Sequence, residues 1–396
     1  MRSGSPGVDV EYAIRLTKEL VRIPSVTGEE GEIAKFLAEE LSGLGLKVEL
    51  RRVQGDRFNV IGVLKGGEEG VALAFHGHTD TVPPYGMEDP FSAKEDEEYI
   101  YGRGSCDQKA GLAASIAALK AVVDSGVELR KGLAFLGVVD EEREHRGSYA
   151  LVEDGFKADA AICTEPTGLE IAVGCKGTLP VKITTFGKAA HGSAPWRGIN
   201  AVYKMAKVLL ALEELEPRSV TVPGVGEVRG SLNVGLIRGG EAYNVVPDSC
   251  SIWIDRRLVP GETPGDVLRE IREILDEFGR SDPDFRAELS VDRPDWGWEP
   301  IKKRGLKPCL VNPEEDIVRQ ISEAHEGVTG DRGKLKFSSG YFEMDFLVND
   351  LGIPTVAYGP GDPELAHTPE ERVSKHQIAI ASRVYAAVAV ALAAKS

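Results

Sequence analysis

The 396-residue sequence predicts an α/β fold, a doubly wound domain with a mixed sheet into which a second unit of βαββαβ order is inserted. Three observations carry that reading. The runs Val71–Phe75, Leu133–Val139 and Ala160–Thr164 are continuously apolar, as strands buried on both faces are, and helix-patterned segments lie between them. Each run stops in ionisable groups: His76, His78 and Asp80 after the first, Asp140, Glu141 and Glu142 after the second, Glu165 after the third. From about Thr178 the texture changes to alternating strands, and an apolar strand of the earlier type returns at Pro354–Tyr358. The chain is also too long for one ordinary core. The expected division is residues 1–177 for the first part of the larger domain, 178–292 for the inserted unit and 293–396 for the second part.

Val10–Arg22 and Glu29–Leu44 carry apolar positions at helical spacing, the second behind Thr27 as a cap. Strand-like Lys47–Arg52 and Asn59–Leu64 lead across Gly66 and Gly67 into Val71–Asp80, where His76, His78 and Asp80 stand two apart and so share one side of the pleat. A loop containing Pro83, Pro84, Gly86 and Pro90 follows. In Tyr101–Gly126, Gly102, Gly104 and Gly111 permit close backbone approach, Asp107 falls in a tight turn, and an Ala-rich helix comes behind it. In the inserted unit Leu179–Gly187 alternates as a half-buried strand, and Asn200–Leu215 is an amphipathic helix. Ser231–Ile237 and Cys250–Leu258 read as antiparallel strands, Pro264–Phe278 as a helix stopped by Gly279, and Ala287–Val291 as the last strand. That is the ferredoxin-like order. After Pro354–Tyr358 comes the loop GPGDPELAH. Thr368, Pro369 and Glu371 then read as a capping box opening a helix to about Ala394, with His367 immediately ahead of it.

Composition bounds the function. With 47 Lys and Arg against 63 Asp and Glu, a net charge of −16, the surface attracts neither nucleic acid nor an anionic membrane. No apolar run approaches the ~18 residues of a membrane span, and the first residues hold no signal-peptide core, which predicts a cytoplasmic protein. The five scattered cysteines contain no CxxC and read as buried thiols, not as a disulfide framework or a thiolate metal site. No GxxxxGK loop offers a cradle for phosphate.

The candidate chemistry lies in His78, Asp107, Glu141, Glu142, Glu165 and His367, each at the end of a strand or in the loop after it, where α/β sheets place their sites. Several carboxylates buried in one crevice are costly unless protonated or compensated. These loops hold no Lys/Arg cluster that could compensate them; divalent metal does. Two histidines and three carboxylates, one of them shared, suit two cations with nitrogen and oxygen ligands, zinc first, with cobalt or manganese as alternatives. Asp107, central and in the tightest turn, reads as the bridge, since a carboxylate can give one oxygen to each of two metals ~3.5–4 Å apart. Glu141 and Glu142 point to opposite sides of a strand end, so one can ligate while the other serves as general base; spacing does not say which.

In order along the chain, HGHTD, GRGSCDQKAG, DEE, TEPT and the late GPG…AHTPEE resemble motifs of the dizinc amidohydrolases that include acetylornithine deacetylase, succinyl-diaminopimelate desuccinylase, aminoacylase and carboxypeptidase G. The likeness runs from about Ile23 to Ala394. It implies that His78, Asp107 and Glu165 hold one metal and Asp107, Glu142 and His367 the other. It further implies that Glu141 is the general base and that Asp80 accepts a hydrogen bond from His78. A homodimer through the inserted domain is implied as well, with His191 of GKAAHGSAP reaching a neighbouring active site to stabilise the oxyanion. Arg256 of IDRRLVPGE would bind the substrate carboxylate, and Asn244 of NVVPD would lie on the substrate side. The implied reaction is hydrolysis of the amide bond of an N-acyl amino acid: hydroxide between the two metals attacks the carbonyl, and Glu141 carries the proton to the departing amine. A metal-dependent dipeptidase or carboxypeptidase is the competing reading, and a catalytically silent binding homologue a third.

Other residues read as structural: His76 as a wall of the site, Cys106 as packing, His325 and His376 as solvated helix residues. Two stretches depart from the relatives' pattern. Arg143, Glu144, His145 and Arg146 stand where many relatives have a glycine-rich turn, and would either contact an acidic substrate or balance nearby carboxylates. Ser338–Phe346 replaces a glycine-threonine-aspartate motif in the loop that shapes the substrate pocket.

Overall fold

The computed structural model describes residues 6–292 and 296–395. Among them the largest sheet has nine strands. Its order is Lys47–Gln54, Arg57–Leu64, Gly132–Val138, Val71–His78, Ala160–Cys163, Thr355–Ala357, Ile171–Cys175 and Cys309–Leu310, with Leu335–Ser338 also pairing to Ile171–Cys175. The four neighbours Gly132–Val138, Val71–His78, Ala160–Cys163 and Thr355–Ala357 are parallel. They are buried almost throughout, which is why their sequences are unbroken apolar runs instead of alternating ones. Parallel strands finish at one edge of a sheet, so the residues that follow them meet there. Arg57–Leu64 runs antiparallel to Gly132–Val138, and its first residue, Arg57, therefore starts at that same edge.

The helices Ala110–Ser125 and Lys375–Ala393 pack on each other and on Val71–His78, and Val10–Arg22 packs on both helices. The alanines of Ala110–Ser125 allow this closeness, and Gly111 lets the helix start against Thr164: a Cβ there would meet the Thr164 carbonyl oxygen at 2.1 Å. Gly111→Ala is expected to destabilise the fold by about 1–3 kcal/mol through overpacking, seen as a lower midpoint in denaturant titration. Lys375–Ala393 is the one described helix long and apolar enough to cross a bilayer, yet Ile378, Val384, Tyr385 and Val388 are buried in the core.

A separate four-stranded antiparallel sheet has the order Ser231–Gly239, Ser249–Leu258, Gly177–Phe186, Arg286–Val291. The helices Ala201–Glu213 and Pro264–Ser281 lie against it around a core of its own that includes Val181, Ile183, Met205, Ile252 and Ile271. Along Ser249–Leu258 burial alternates strictly, with Cys250, Ile252, Ile254, Arg256 and Leu258 inward and Trp253, Asp255 and Arg257 on the other face. A ribbon of Ser219–Val222 and Gly226–Arg229, not foreseen in the sequence, precedes Ser231–Gly239 and buries Val222 and Val228 in the core of the nine-stranded sheet's domain.

Several expectations need correction. The second helix spans Gly31–Gly43, and Thr27 does not cap it because its hydroxyl donates to the Asp80 carboxylate. The helix from Pro264 runs through Gly279 to Ser281; a single glycine weakens a helix by only ~1 kcal/mol, and buried Val267, Ile271 and Leu275 anchor this one. The final helix starts at Lys375 with Ser374 as its cap, behind a short strand Arg372–Ser374, so Thr368 opens nothing and Glu371 serves elsewhere. His325 is buried, its Nδ1 2.7 Å from the Tyr358 hydroxyl, because the helix Asp316–Thr329 turns that face inward; His376 is exposed. The boundary expected at 292/293 adjoins residues 293–295, which lie outside the described residues.

Candidate active site

The edge where the parallel strands end brings six side chains together. Ligand atoms of His78, Asp107 and Glu165 lie within 4.8 Å of one another, as do those of Asp107, Glu142 and His367, and of His78, Glu141 and Glu142. Asp107 stands between two imidazoles: its Oδ1 is 3.0 Å from His78 Nε2 and its Oδ2 is 3.3 Å from His367 Nε2. Glu142 Oε1 is 3.0 Å from the same His367 nitrogen, whereas Glu141 clusters with His78 and Glu142 and not with His367; both acids line an open cavity. The two adjacent acids, equivalent by spacing, are thus placed differently. Glu165 Oε1 accepts from the Gln108 side-chain amide at 2.5 Å.

Backbone contacts fix these positions. Glu371 Oε1 accepts the amides of Cys106 and Asp107 at 3.0 and 3.1 Å, and its other oxygen pairs with buried Arg103. The residue expected in a helix cap therefore clamps the turn that carries Asp107. Asp80 also differs from expectation. His78 Nδ1 is 2.9 Å from the Asp80 main-chain carbonyl but 3.6 Å from its carboxylate. The carboxylate instead accepts the amides of Glu141 and Glu142 at 3.0 and 3.2 Å and the Thr27 hydroxyl at 2.8 Å. The carbonyl keeps the proton on Nδ1 and turns Nε2 toward Asp107, while the carboxylate holds the turn bearing both glutamates.

The electrostatics follow from burial. Desolvation pushes the carboxyls of Glu141 and Glu165 well above the usual range, with Glu142 adding to the first and Asp107 to the second, and it raises Glu142 against the hydrogen bond from His367. Burial opposes ionisation of Asp107 too, but hydrogen bonds from His367 and His78 hold it well below the carboxylate range. Hydrogen bonds to Asp107 and Glu142 lift His367 to about 10. In the protein by itself, imidazolium protons are thus the positive charge among these acids. Two imidazole nitrogens with the oxygens of Asp107, Glu142 and Glu165 form a donor set suited to zinc, cobalt or manganese, and cations at the two clusters would take the place of those protons. The residues present fit such ions.

A cavity of about 550 Å³ opens on the cluster, with Glu141, Glu142 and His367 on one side and Trp253, Asp255 and Arg257 of the four-stranded sheet on the other. Arg256, expected to bind substrate, is not among its walls. It is fully buried in an ion pair with Glu262, because the period-two alternation of its strand sends Arg256 inward and Arg257 to the cavity. The two stretches that depart from the relatives meet at the wall: His145 Nδ1 is 3.1 Å from buried Glu343, and Tyr341 packs edge-on against the His145 ring. Arg143 also lines the cavity, whereas Arg146 pairs with Glu144 and Asp140 and lies over the Trp298 ring.

Neither His191 nor Asn244 lines this cavity. They are neighbours on exposed loops, where Gly192 donates its amide to the Asn244 carbonyl at 2.7 Å, and the Ser193 amide donates to His191 Nδ1 at 3.2 Å. His76 is buried with Nε2 2.9 Å from Ser148 Oγ, and Cys106 donates its thiol to the Asp362 carbonyl. Sequence reasoning missed Arg257, Glu371, Thr27 and Arg57. The strand alternation could have found Arg257. No local pattern links Glu371 to an amide 264 residues away, or Arg57 to Asp140 at a separation of 83.

Comparison with known proteins gives the family. The family model described as peptidase family M20/M25/M40 matches residues 74–391. The Escherichia coli K12 protein called uncharacterized protein YgeY is 31% identical over 387 residues, which cover 94% of this chain and 93% of that one. Acetylornithine deacetylase of Edwardsiella ictaluri is 30% identical over 378 residues, 91% of this chain and 92% of its own. The crystal structure of a tripeptidase from Staphylococcus aureus superposes with a TM-score of 0.78 at 24% identity, over 97% of this chain and 98% of that one, a likeness of fold. The matched span holds every residue of the cluster from His78 to His367, and the chain belongs to peptidase family M20/M25/M40, whose members are metallopeptidases and amidohydrolases: it is a hydrolase.

Proposed function

We propose that the protein hydrolyses the amide bond of N-acyl amino acids, with two divalent metal ions, zinc or in its place cobalt or manganese, and Glu141 as general base. The observation that carries this reading is Asp107, each of whose carboxylate oxygens faces a different imidazole. His78, Asp107 and Glu165 would hold one ion, and Asp107, Glu142 and His367 the other. When bound, the ions supply an acidified water and polarise the substrate carbonyl. The chain's own residues do the rest. Glu141 faces the cavity and receives the water's proton, then returns it to the departing amine nitrogen. Arg257, oriented by Asp255 at 3.1 Å, binds the free carboxylate of the amino acid.

We read residues 178–292 as an inserted ferredoxin-like lid and dimerisation domain of a cytoplasmic homodimer. Its separate core and exposed apolar Trp196, Tyr203, Leu210 and Ile237 support this. His191 would serve the partner's site: with Nδ1 accepting from Ser193, its Nε2 carries the proton that can stabilise an oxyanion, and Asn244 lies beside it. A dipeptidase is the second reading, favoured by Asp255 and Asp292, cavity carboxylates that could receive a substrate ammonium.

Assay of acetyl-, succinyl- and glycyl-amino acids with added zinc, cobalt or manganese tests the proposal. Hydrolysis of none overturns it, and preference for glycyl substrates selects the second reading. Arg257→Gln should raise KM about 10–100-fold, in line with the ~1.5–3 kcal/mol of a hydrogen bond to a charged group, and leave kcat nearly unchanged. Arg256→Gln should instead lower thermal stability, because it strands buried Glu262 without its counter-charge.

A further inference from the structure

We propose that Arg57 is a positioning residue for the turn Asp140–Glu142, acting through Asp140 to keep the two glutamates in register; this rests on the roles given above to Glu141 and Glu142. Arg57 Nη2 is 2.7 Å from Asp140 Oδ1 and its Nε is 2.7 Å from Glu30 Oε2, and both carboxylates are almost fully buried. Asp140 has φ +72°, a backbone region that residues with a side chain rarely occupy. Its other carboxylate oxygen meets Arg146, and its carbonyl accepts the His145 amide at 2.6 Å. The next two amides, of Glu141 and Glu142, are those bonded to Asp80.

The turn is therefore clamped twice, by Asp80 on its amides and by Arg57 on the residue before them. Both clamps return to one loop, since Thr27 donates to Asp80 and the Gly28 amide donates to Glu30. Asp80 lies close enough to repel both Glu30 and Asp140, and Arg57 is the cation that spans those two. A planar fork can serve two carboxylates at once, which an ammonium does less well.

The test uses the full chain with Arg57→Met, Arg57→Lys, Asp140→Asn and the Arg57→Met/Asp140→Asn double variant. Amide hydrogen exchange by mass spectrometry and steady-state kinetics on the best substrate of the panel are both measured. For Arg57→Met, kcat should fall about 10–100-fold, the usual loss on removing an outer partner of a metal site, with KM changed less than about threefold and metal content kept. Exchange in the peptide covering 139–147 should rise at least ~10-fold while the other sheet peptides stay protected. The double variant should lose no more than the worse single variant, and Arg57→Lys should fall between wild type and Arg57→Met. Unchanged kcat and exchange would overturn the proposal, as would exchange rising uniformly with activity tracking the folded fraction. If wild type hydrolyses no member of the panel, the amide-hydrolase reading fails, and exchange at 139–147 still decides the role of Arg57.

Discussion

Glu141→Gln should lose about 10²–10⁴-fold in kcat while binding its metal ions as the wild type does. Glutamine keeps the shape and an oxygen at the cavity but cannot take up a proton. His367 meets Glu142 and not Glu141, so the substitution leaves the nitrogen and oxygen contacts of the His367 cluster in place. Glu142→Gln is the contrasting case, expected to weaken metal retention together with activity. Elemental analysis beside steady-state assay separates the two: near-normal turnover in Glu141→Gln, or loss of its metal, would reverse the assignment of base and ligand.

Asp107→Asn is expected to be more damaging to metal than any other single change. Asp107, like Glu142, belongs to two of the three ligand clusters, but its two oxygens face different imidazoles, and an amide offers only one oxygen where the carboxylate offers one to each. Both ions should be lost on dialysis, and activity should fall well beyond the ~10–100-fold typical of losing an outer partner. Stability in chelator should fall as well, because Asp107 is the ionised acid that His78 and His367 hold below the carboxylate range, and asparagine gives those imidazoles no counter-charge. A variant that kept both ions would show that Asp107 is not their shared ligand.

The strand ends were legible because parallel strands buried on both faces must be apolar throughout, so a histidine or acid at their close stands out. His78, the Glu141–Glu142 pair and Glu165 all announced themselves this way. Arg256 was misassigned because two arginines stand side by side and the motif match took no account of which face each occupies; the period of the strand decides for Arg257. Glu371 satisfied a local capping rule, but a buried carboxylate facing two amides and Arg103 has a stronger claim on it than a helix end. Asp80 was read for its side chain when its carbonyl does the work on His78. Long-range pairs such as Arg57 with Asp140 leave no mark on either local sequence.

The strand Thr355–Ala357 is only three residues long, and it lies between Ala160–Cys163 and Ile171–Cys175, which are not paired with each other. In a chain emerging from the ribosome, Ile171–Cys175 has none of its sheet partners Cys309–Leu310, Leu335–Ser338 and Thr355–Ala357 until the four-stranded unit has been made, and its edges stay open to wrong partners for that time. The loop that follows this strand delivers His367. Closure of the sheet and completion of the ligand cluster thus depend on the same late segment.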